Sequence, residues 1–265
     1  MVYLFFVLAS LLCTQTEALA TQLKEKTDFQ YLLLAHFWPT TSCVFFRNEG
    51  EDCYVSPVVK GWTIHGLWPS IAGTEKPDYC NDSMKFNYNE IKSLSSRLAV
   101  NWPSFEMGAP NTSLWEHEWT KHGTCAYSLP ILKGELKYFN GTMNLHEKLN
   151  ITKYLEDSGI VPSNEAMYLP QDIFNAVKKG VGKVPDITCL YEKKTQRHHL
   201  EQVWLCYNKQ LQPIDCPEVS ATKRLSSTLY FESVAEQEAA APLNSYFQEC
   251  PKSGKVYYKP LPNSQ

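Results

Sequence analysis

Cysteine is the residue type that most constrains how this 265-residue chain can fold, because the sequence contains nine. Cys13 ends an apolar run over residues 2–13 that is too short to span a bilayer. The run is followed by Ala18-Leu19-Ala20, the small-x-small pattern at which signal peptidase cuts. We therefore predict a signal peptide over residues 1–20, with a buried N-terminal helix or strand as the alternative.

Removal of the predicted signal leaves an even number of cysteines behind an export signal, a pattern typical of disulfide-bonded secreted proteins. They are Cys43, Cys53, Cys80, Cys125, Cys189, Cys206, Cys216 and Cys250. Zinc is disfavoured because no C-x-x-C pair occurs, and the spacing alone selects no pairing. Export also agrees with four predicted N-glycosylation sequons, at Asn81, Asn111, Asn140 and Asn150.

The distribution of apolar residues predicts an α+β fold, a mainly antiparallel sheet packed with several helices in one domain over residues 21–265. Strand candidates, rich in β-branched and aromatic residues, are 29–38, 54–68, 203–207 and 256–258. Helix candidates at helical spacing are 91–98, 145–155 and 173–177, the last stopped by Gly180. We expect no membrane anchor, because no second long apolar run or hydrophobic tail follows the signal.

Candidate chemistry is concentrated in two histidine-containing segments, G-W-T-I-H-G-L-W-P at 61–69 and W-E-H-E-W-T-K-H-G-T-C at 115–125. The second superficially resembles the zinc motif H-E-x-x-H, but His122 follows His117 by five residues rather than four. On an α-helix that offset rotates the two side chains about 140° apart. No metal site is predicted, and a metalloprotease is disfavoured.

Helical spacing instead pairs His117 with Lys121 and Glu118 with His122, so proton carriers and positive charge share one arc of the helix. If His65 faces this helix, two imidazoles could bracket a phosphate, one accepting a proton from a ribose 2′-OH and the other donating one to the departing oxygen. The simpler alternatives are a core role for His65, a solvated helix face, and packing rather than base stacking for the tryptophans.

In both segments the sequence resembles the ribonuclease T2 family of secreted acid endoribonucleases, through W-T-I-H-G-L-W-P at 62–69 and H-E-W-x-K-H-G-T-C at 117–125. The resemblance implies metal- and cofactor-independent cleavage of single-stranded RNA, not DNA, through a 2′,3′-cyclic phosphate. It also implies that His122 deprotonates the 2′-OH and His65 protonates the leaving oxygen. His117 is then expected to hold phosphate, while Glu118 and Lys121 polarise the transition state.

The same resemblance implies disulfide pairings and base contacts. The pairings are Cys43 to Cys53, Cys80 to Cys125, Cys189 to Cys250 and Cys206 to Cys216. The family's Gln before the early Trp-Pro and its Asp after H-G-L-W-P are replaced by His36 and Ser70. Candidate substrate-binding residues are Trp68, His36, Trp62, Leu114 and Trp115.

Charge favours work in an acidic compartment. The formal charge of −3 becomes −2 without the signal and its Glu17, and +5 if all seven histidines are protonated. RNA affinity is therefore expected to rise below about pH 6, which suits secretion or the lysosomal lumen. We expect a monomer. The alternative function is an extracellular signalling or binding protein that uses the same scaffold without cleaving RNA.

Overall fold

The computed structural model describes residues 28–72, 77–217, 250–251 and 254–262. The predicted signal peptide and Cys13 lie outside the described residues. Within these ranges no helix is long and apolar enough to cross a membrane.

The described strands form one mixed sheet at the centre of the fold. They are β1 (Tyr31–Phe37), β2 (Thr63–Ser70), β3 (Met167–Tyr168), β4 (Asp186–Glu192), β5 (Arg197–Tyr207), β6 (Pro213–Ile214) and β7 (Val256–Tyr257). The order is β2-β1-β5-β7-β3, and β4 and β6 also pair with β5. Among these pairs β5–β7 is parallel and the others are antiparallel. The predicted α+β class with a mainly antiparallel sheet is confirmed.

Helices of varied length connect and cover the strands. The α-helices are α1 (Pro39–Glu49), α2 (Tyr88–Ile91), α3 (Ser95–Asn101), α4 (Asn111–Glu118), α5 (Thr124–Ala126), α6 (Glu135–His146), α7 (Ile151–Glu156) and α8 (Pro170–Val181). A 3₁₀ helix, Lys92–Leu94, joins α2 to α3, and a π-helix, Trp119–Gly123, joins α4 to α5.

Alternation along β1 divides the core between the two faces of the sheet. Leu32 and Leu34 pack in the largest apolar cluster, which includes Tyr138 of α6 and Val177 of α8. Leu33 and its neighbours on the opposite face pack in a separate cluster that contains Trp68 and Trp204. The helices α6 and α8 thus cover one face of the sheet, and the two tryptophans belong to the other.

Several boundaries differ from the sequence-based expectations. The candidate strand over 54–68 begins only at Thr63, because the preceding segment forms a turn containing Pro57. The candidate over 145–155 is two helices, α6 and α7, and the side chain of Asn150 caps the second by accepting from the Lys153 amide.

Helix α8 runs through Gly180 and ends at Gly182, whose φ of +73° suits a left-handed C-cap. Gly180 is needed for packing instead of termination. A Cβ there would lie 2.1 Å from Cγ of Tyr154 on α7, so only glycine lets α7 and α8 approach this closely.

Four disulfides join the described cysteines, and the pairings are those that the family resemblance implied. They are Cys43–Cys53, Cys80–Cys125, Cys189–Cys250 and Cys206–Cys216. Cys189–Cys250 links residues 61 apart in sequence, so it holds the C-terminal part of the chain against β4. Closing long loops in this way restricts the unfolded chain and thereby stabilises the fold.

The four sequon asparagines are at least partly exposed, and each amide oxygen accepts a hydrogen bond. The donors are the Ser83 amide for Asn81, the Ser104 amide for Asn111, Arg97 for Asn140 and the Lys153 amide for Asn150. Because each oxygen faces a donor, the Nδ2 atom that carries an N-linked glycan points away from these bonds. Glycosylation at the four sites stays a prediction.

Four of the seven histidines resist protonation. Burial lowers the pKa of His36 well below its usual value, and the pKa values of His146 and His199 to about 4. The rings of His36 and His146 lie 5.2 Å apart between β1 and α6, so each charge would also disfavour the other. With His117, described below, these residues keep the protein from reaching in mild acid the charge of +5 expected for seven protonated histidines.

Replacing His146 by Phe is expected to reduce the acid sensitivity of the fold. The pKa of His146 is about 4 when folded and about 6.5 when unfolded, so the unfolded chain takes up the proton first as the pH falls. Its contribution is intact above about pH 6.5 and is lost towards pH 4. The drop in unfolding free energy between pH 7 and pH 5, measured by urea denaturation, should shrink by about 2 kcal/mol.

Leu136→Phe is the control, because it adds an aromatic ring at an exposed position of the same helix and removes no imidazole. An unchanged pH dependence in His146→Phe would show that the buried imidazole does not contribute to acid sensitivity.

Candidate active site

A β-bulge places His65. The register of β1 with β2 pairs Ala35 with Gly66 and His36 with Ile64, so His65 is the extra, unpaired residue of a bulge in β2. Bulges re-aim a side chain and reverse the alternation beyond them. The bulge thus allows His65 and Trp68, three residues apart, to meet edge to face with ring centroids 4.7 Å apart.

Strand β2 is an edge of the described sheet, and side chains from helix α6 and from Trp102, which follows α3, cover it. The Trp102 indole donates to the carbonyl of His65 at 2.8 Å, and the Tyr138 hydroxyl donates to that of Leu67 at 2.9 Å. Backbone groups on an open edge would otherwise remain available to water or another strand. Both bonds hold the backbone on either side of Gly66.

The second motif is not a continuous α-helix. Helix α4 ends at Glu118, and the chain continues as a π-helix in which the Thr124 amide donates to the carbonyl of Trp119, five residues earlier. The angular relations expected from α-helical spacing therefore do not apply between His117 and His122. Within the described residues no group of three or more His, Cys, Asp or Glu side chains is placed to hold a metal ion.

Glu118 connects this helix to the first motif. Its carboxylate is fully buried and accepts from the Trp68 indole N–H at 2.9 Å. The carboxylate crosses directly over Gly66, where a Cβ would lie 2.0 Å from Glu118 Oε2 and 2.2 Å from Trp68 Nε1. The glycine of H-G-L-W is thus required by a close approach between strand and helix.

The two histidines predicted as acid and base lie against the same indole ring. His122, on the π-helix, has its ring centroid 5.4 Å from that of Trp68, and His65 approaches the same ring from the strand. Phe37 stacks on His65 with centroids 3.9 Å apart. Both imidazoles are almost entirely buried, so their orientations are set by packing.

His117 and Lys121 complete the second motif. Burial, with a smaller effect from the Lys121 ammonium, lowers the pKa of His117 to about 3. At mildly acidic pH His117 is therefore neutral, and Lys121 is the positive charge on this part of the helix. The carbonyl of Lys121 accepts from the amide of Tyr79, next to the Cys80–Cys125 bond, so this disulfide holds a loop beside the π-helix.

The predicted base-binding residues are all buried here, and none presents an open ring face. The Trp62 indole donates to Tyr258, the Trp115 indole to the carbonyl of Trp102, and Trp68 lies between His65 and His122. Leu114 belongs to the main core. Packing, the alternative considered for the tryptophans, describes this conformation better than base stacking.

His36 also does not reach the site. It is fully buried, its Nδ1 lies 3.2 Å from the carbonyl of Val203, and its ring faces His146 on the helix-covered side of the sheet. Alternation along β1 accounts for this placement, because His36 shares a face with Leu32 and Leu34, whereas the bulge in β2 turns His65 towards Trp68 on the opposite face. A base contact by His36 is thus incompatible with this arrangement.

Residues without a recognisable motif also form part of the site. Gln202 on β5 has its Oε1 2.9 Å from His65 Nδ1, and Phe37 covers the ring of His65. Phe37 and Gln202 are cross-strand partners in the β1–β5 register. Their sequence separation from His65 left no local signal, although Phe37 lies in a predicted strand.

Comparison with known proteins agrees with this geometry. The Ribonuclease T2 family profile matches residues 29–216, which include both histidine motifs. The chain belongs to the ribonuclease T2 family. It is 40% identical to ribonuclease Oy of Magallana gigas over 199 residues, covering 74% of this chain and 92% of that protein. It is 35% identical to ribonuclease T2 of Homo sapiens over 200 residues, 74% of each chain.

Solved structures of ribonucleases share the fold of this T2 family member. RNase NT, crystallised in complex with 5′-AMP, superposes with a TM-score of 0.67 and 26% identity, covering 88% of this chain and 100% of that one. Human RNase T2 superposes with a TM-score of 0.65 and 28% identity, covering 88% and 99%. Family and fold together support an endoribonuclease function.

Gly66→Ala is expected to push strand β2 away from the end of helix α4 and so to destabilise the fold. The new methyl group would occupy the space of the Trp68–Glu118 hydrogen bond, so the strand or the helix must shift. Overpacking and loss of a buried charged bond should lower the unfolding free energy by at least about 2 kcal/mol, measured by urea denaturation.

Gly61→Ala is the matched control. A Cβ at Gly61 would meet only Thr152 Oγ1 at 3.6 Å, an ordinary contact, so stability should change by less than about 0.5 kcal/mol. Equal stability of the two variants would contradict the close approach at Gly66.

Proposed function

We propose that this protein is an endoribonuclease that cleaves single-stranded RNA by transphosphorylation, without metal, and works best in mild acid. The observation that carries the proposal is that two imidazoles from different elements, His65 of β2 and His122 of the π-helix, lie against the same Trp68 ring. Two histidines in opposite protonation states can remove one proton and supply another in a single displacement.

In the proposed step, unprotonated His122 takes the proton of the ribose 2′-OH, and the 2′-oxygen forms a bond to phosphorus. The bond from phosphorus to the 5′-oxygen breaks, and protonated His65 gives its proton to that oxygen. The products are a 2′,3′-cyclic phosphate and a free 5′-hydroxyl. Both histidines end in the opposite protonation state, so hydrolysis of the cyclic phosphate by water, in the reverse sense, restores them.

Charge on the phosphate is stabilised by the remaining motif residues in this proposal. Lys121 supplies the positive charge, and His117, neutral above its pKa of about 3, contributes a hydrogen-bond donor. Glu118 acts by holding Trp68, and with it the ring against which both histidines pack.

Acid preference in this proposal comes from the proton on His65 rather than from a large net charge. Four of the seven histidines have pKa values lowered by burial, so little additional attraction for RNA develops near pH 5. His65 must carry a proton before it can donate one, so a lower pH favours its active form.

The secretory pathway is the proposed location, as a single domain beginning near residue 21 and acting as a monomer. Support comes from the four disulfides, which persist in oxidising compartments, and from the exposed sequon asparagines. The lysosomal lumen and the exterior of the cell both meet these conditions.

Purified protein incubated with single-stranded RNA at pH 5 in EDTA is expected to release fragments ending in 2′,3′-cyclic phosphate, because histidines supply all proton transfers. Mass spectrometry of the products identifies the ends. Absence of cleavage, or cleavage that only divalent metal restores, would contradict the proposed mechanism.

His65→Ala and His122→Ala are each expected to lower kcat on RNA by at least about 100-fold, because each removes one proton-transfer group. Circular dichroism should show a retained fold. His198→Ala is the control, since His198 lies at the start of β5 with its ring against Tyr191 and outside the site. Near-normal turnover in either site variant would reassign its role.

A further inference from the structure

The side-chain amide of Gln202 lies against the ring of His65. Gln202 is almost fully buried on β5, and its Oε1 is 2.9 Å from His65 Nδ1 and 3.0 Å from the indole nitrogen of Trp204. The same Gln202 atom thus faces the His65 and Trp204 ring nitrogens, and the hydrogen-bonding properties of the indole show whether that atom is the amide oxygen or the amide nitrogen.

An indole N–H can only donate a hydrogen bond. The Gln202 atom facing Trp204 must therefore be the amide oxygen, which removes the usual ambiguity in the orientation of a glutamine. Because the same oxygen faces His65 Nδ1, that nitrogen must carry a proton. In neutral His65 the lone pair is then on Nε2.

The other end of the amide is also held. The carboxyl of Glu201 is fully buried and accepts from the hydroxyl of Thr188 at 3.0 Å, and the side chain of Gln202 favours its charged form against the raising effect of burial on its pKa. With the amide oxygen facing His65, the amide NH₂ is the group turned towards Glu201. The β4–β5 register shifts between Thr188 and Cys189, so a second bulge sets Glu201 beside Gln202.

We propose that Gln202 is a positioning residue that keeps the Nδ1 proton on His65 and leaves Nε2 to exchange a proton with the substrate, and that Trp204 fixes the amide in the orientation this needs. The role rests on the proposed function. When His65 gives its Nε2 proton to the 5′-oxygen, the product is the tautomer that Gln202 already stabilises, so no ring flip is needed.

A neutral amide suits a group that must act as an acid. A carboxylate at this position would hold the imidazolium more tightly and raise the pKa of His65. Titratable groups on the elements around His65 are Glu118 and His122 beside Trp68, Glu201 behind Gln202, and Tyr138 and His36 from α6 and β1.

The first test reads the tautomer directly. Imidazole ¹⁵N chemical shifts of His65, assigned by difference from His65→Ala, are recorded above the pKa of the ring. The Nδ1–H form is expected in the parent protein, with Nε2–H appearing in Gln202→Leu. Trp204→Phe leaves the Gln202 amide free to rotate, so it should also increase the fraction of the Nε2–H tautomer. It provides the test if Gln202→Leu does not fold.

The second test uses RNA cleavage. Gln202→Leu is expected to lower kcat by about 10- to 100-fold with KM changed less than about 2-fold, because substrate contacts remain while the proton donor is less often correctly arranged. Gln202→Glu keeps an acceptor, so it should recover most of kcat and move the acid–base limb of His65 upward by about one pH unit. Gln171→Leu, on the exposed surface of α8, is the control.

The two tests separate this inference from the function on which it rests. An Nε2–H tautomer in the parent protein, or an unchanged tautomer and kcat in Gln202→Leu and Trp204→Phe, would overturn the role of Gln202. Failure of the parent protein to cleave RNA would overturn the proposed function, whereas the ¹⁵N shifts would still report whether Gln202 controls the tautomer.

Discussion

The hydrogen bond from the Trp68 indole to the buried carboxylate of Glu118 is the contact on which the site depends. It joins the edge strand β2 to the end of helix α4 and passes over Gly66, where no side chain fits. A buried carboxylate without donors would be strongly unfavourable, so the bond also makes the position of Glu118 specific. His65 and His122 pack on the ring that this bond holds.

Departures from regular structure surround this contact. A bulge in β2 turns His65 toward the Trp68 ring, and a π-helix places His122 on the other element. A second bulge between β4 and β5 sets Glu201 beside Gln202. Bulges and π-helices interrupt the regular backbone hydrogen bonding. Here the Cys80–Cys125 disulfide stabilises the π-helix, and the hydrogen bond from the Trp102 indole to the His65 carbonyl stabilises the bulge in β2.

Much of the framework could be predicted from sequence because its signals are local. Segments rich in β-branched and aromatic residues located β1, the core of β2 and the second half of β5. The H-G-L-W and H-E-W segments identified the elements that carry the site. Helix ends were less predictable. Gly180 resembles a helix stop, yet α8 continues through it to Val181. The glycine is needed for a different reason, because the Tyr154 ring on α7 occupies the space that a side chain would fill.

By itself the sequence determined the residue types of the chemistry, their order, and a cysteine pattern typical of disulfide-bonded proteins. The tertiary structure decided which faces those residues share. It turned His36 and Trp62 into core residues and brought Phe37, Gln202 and Trp204 to His65 from strands distant in sequence. The reason is that a single bulge reverses side-chain direction, and cross-strand partners are set by register, neither of which leaves a mark in the local pattern.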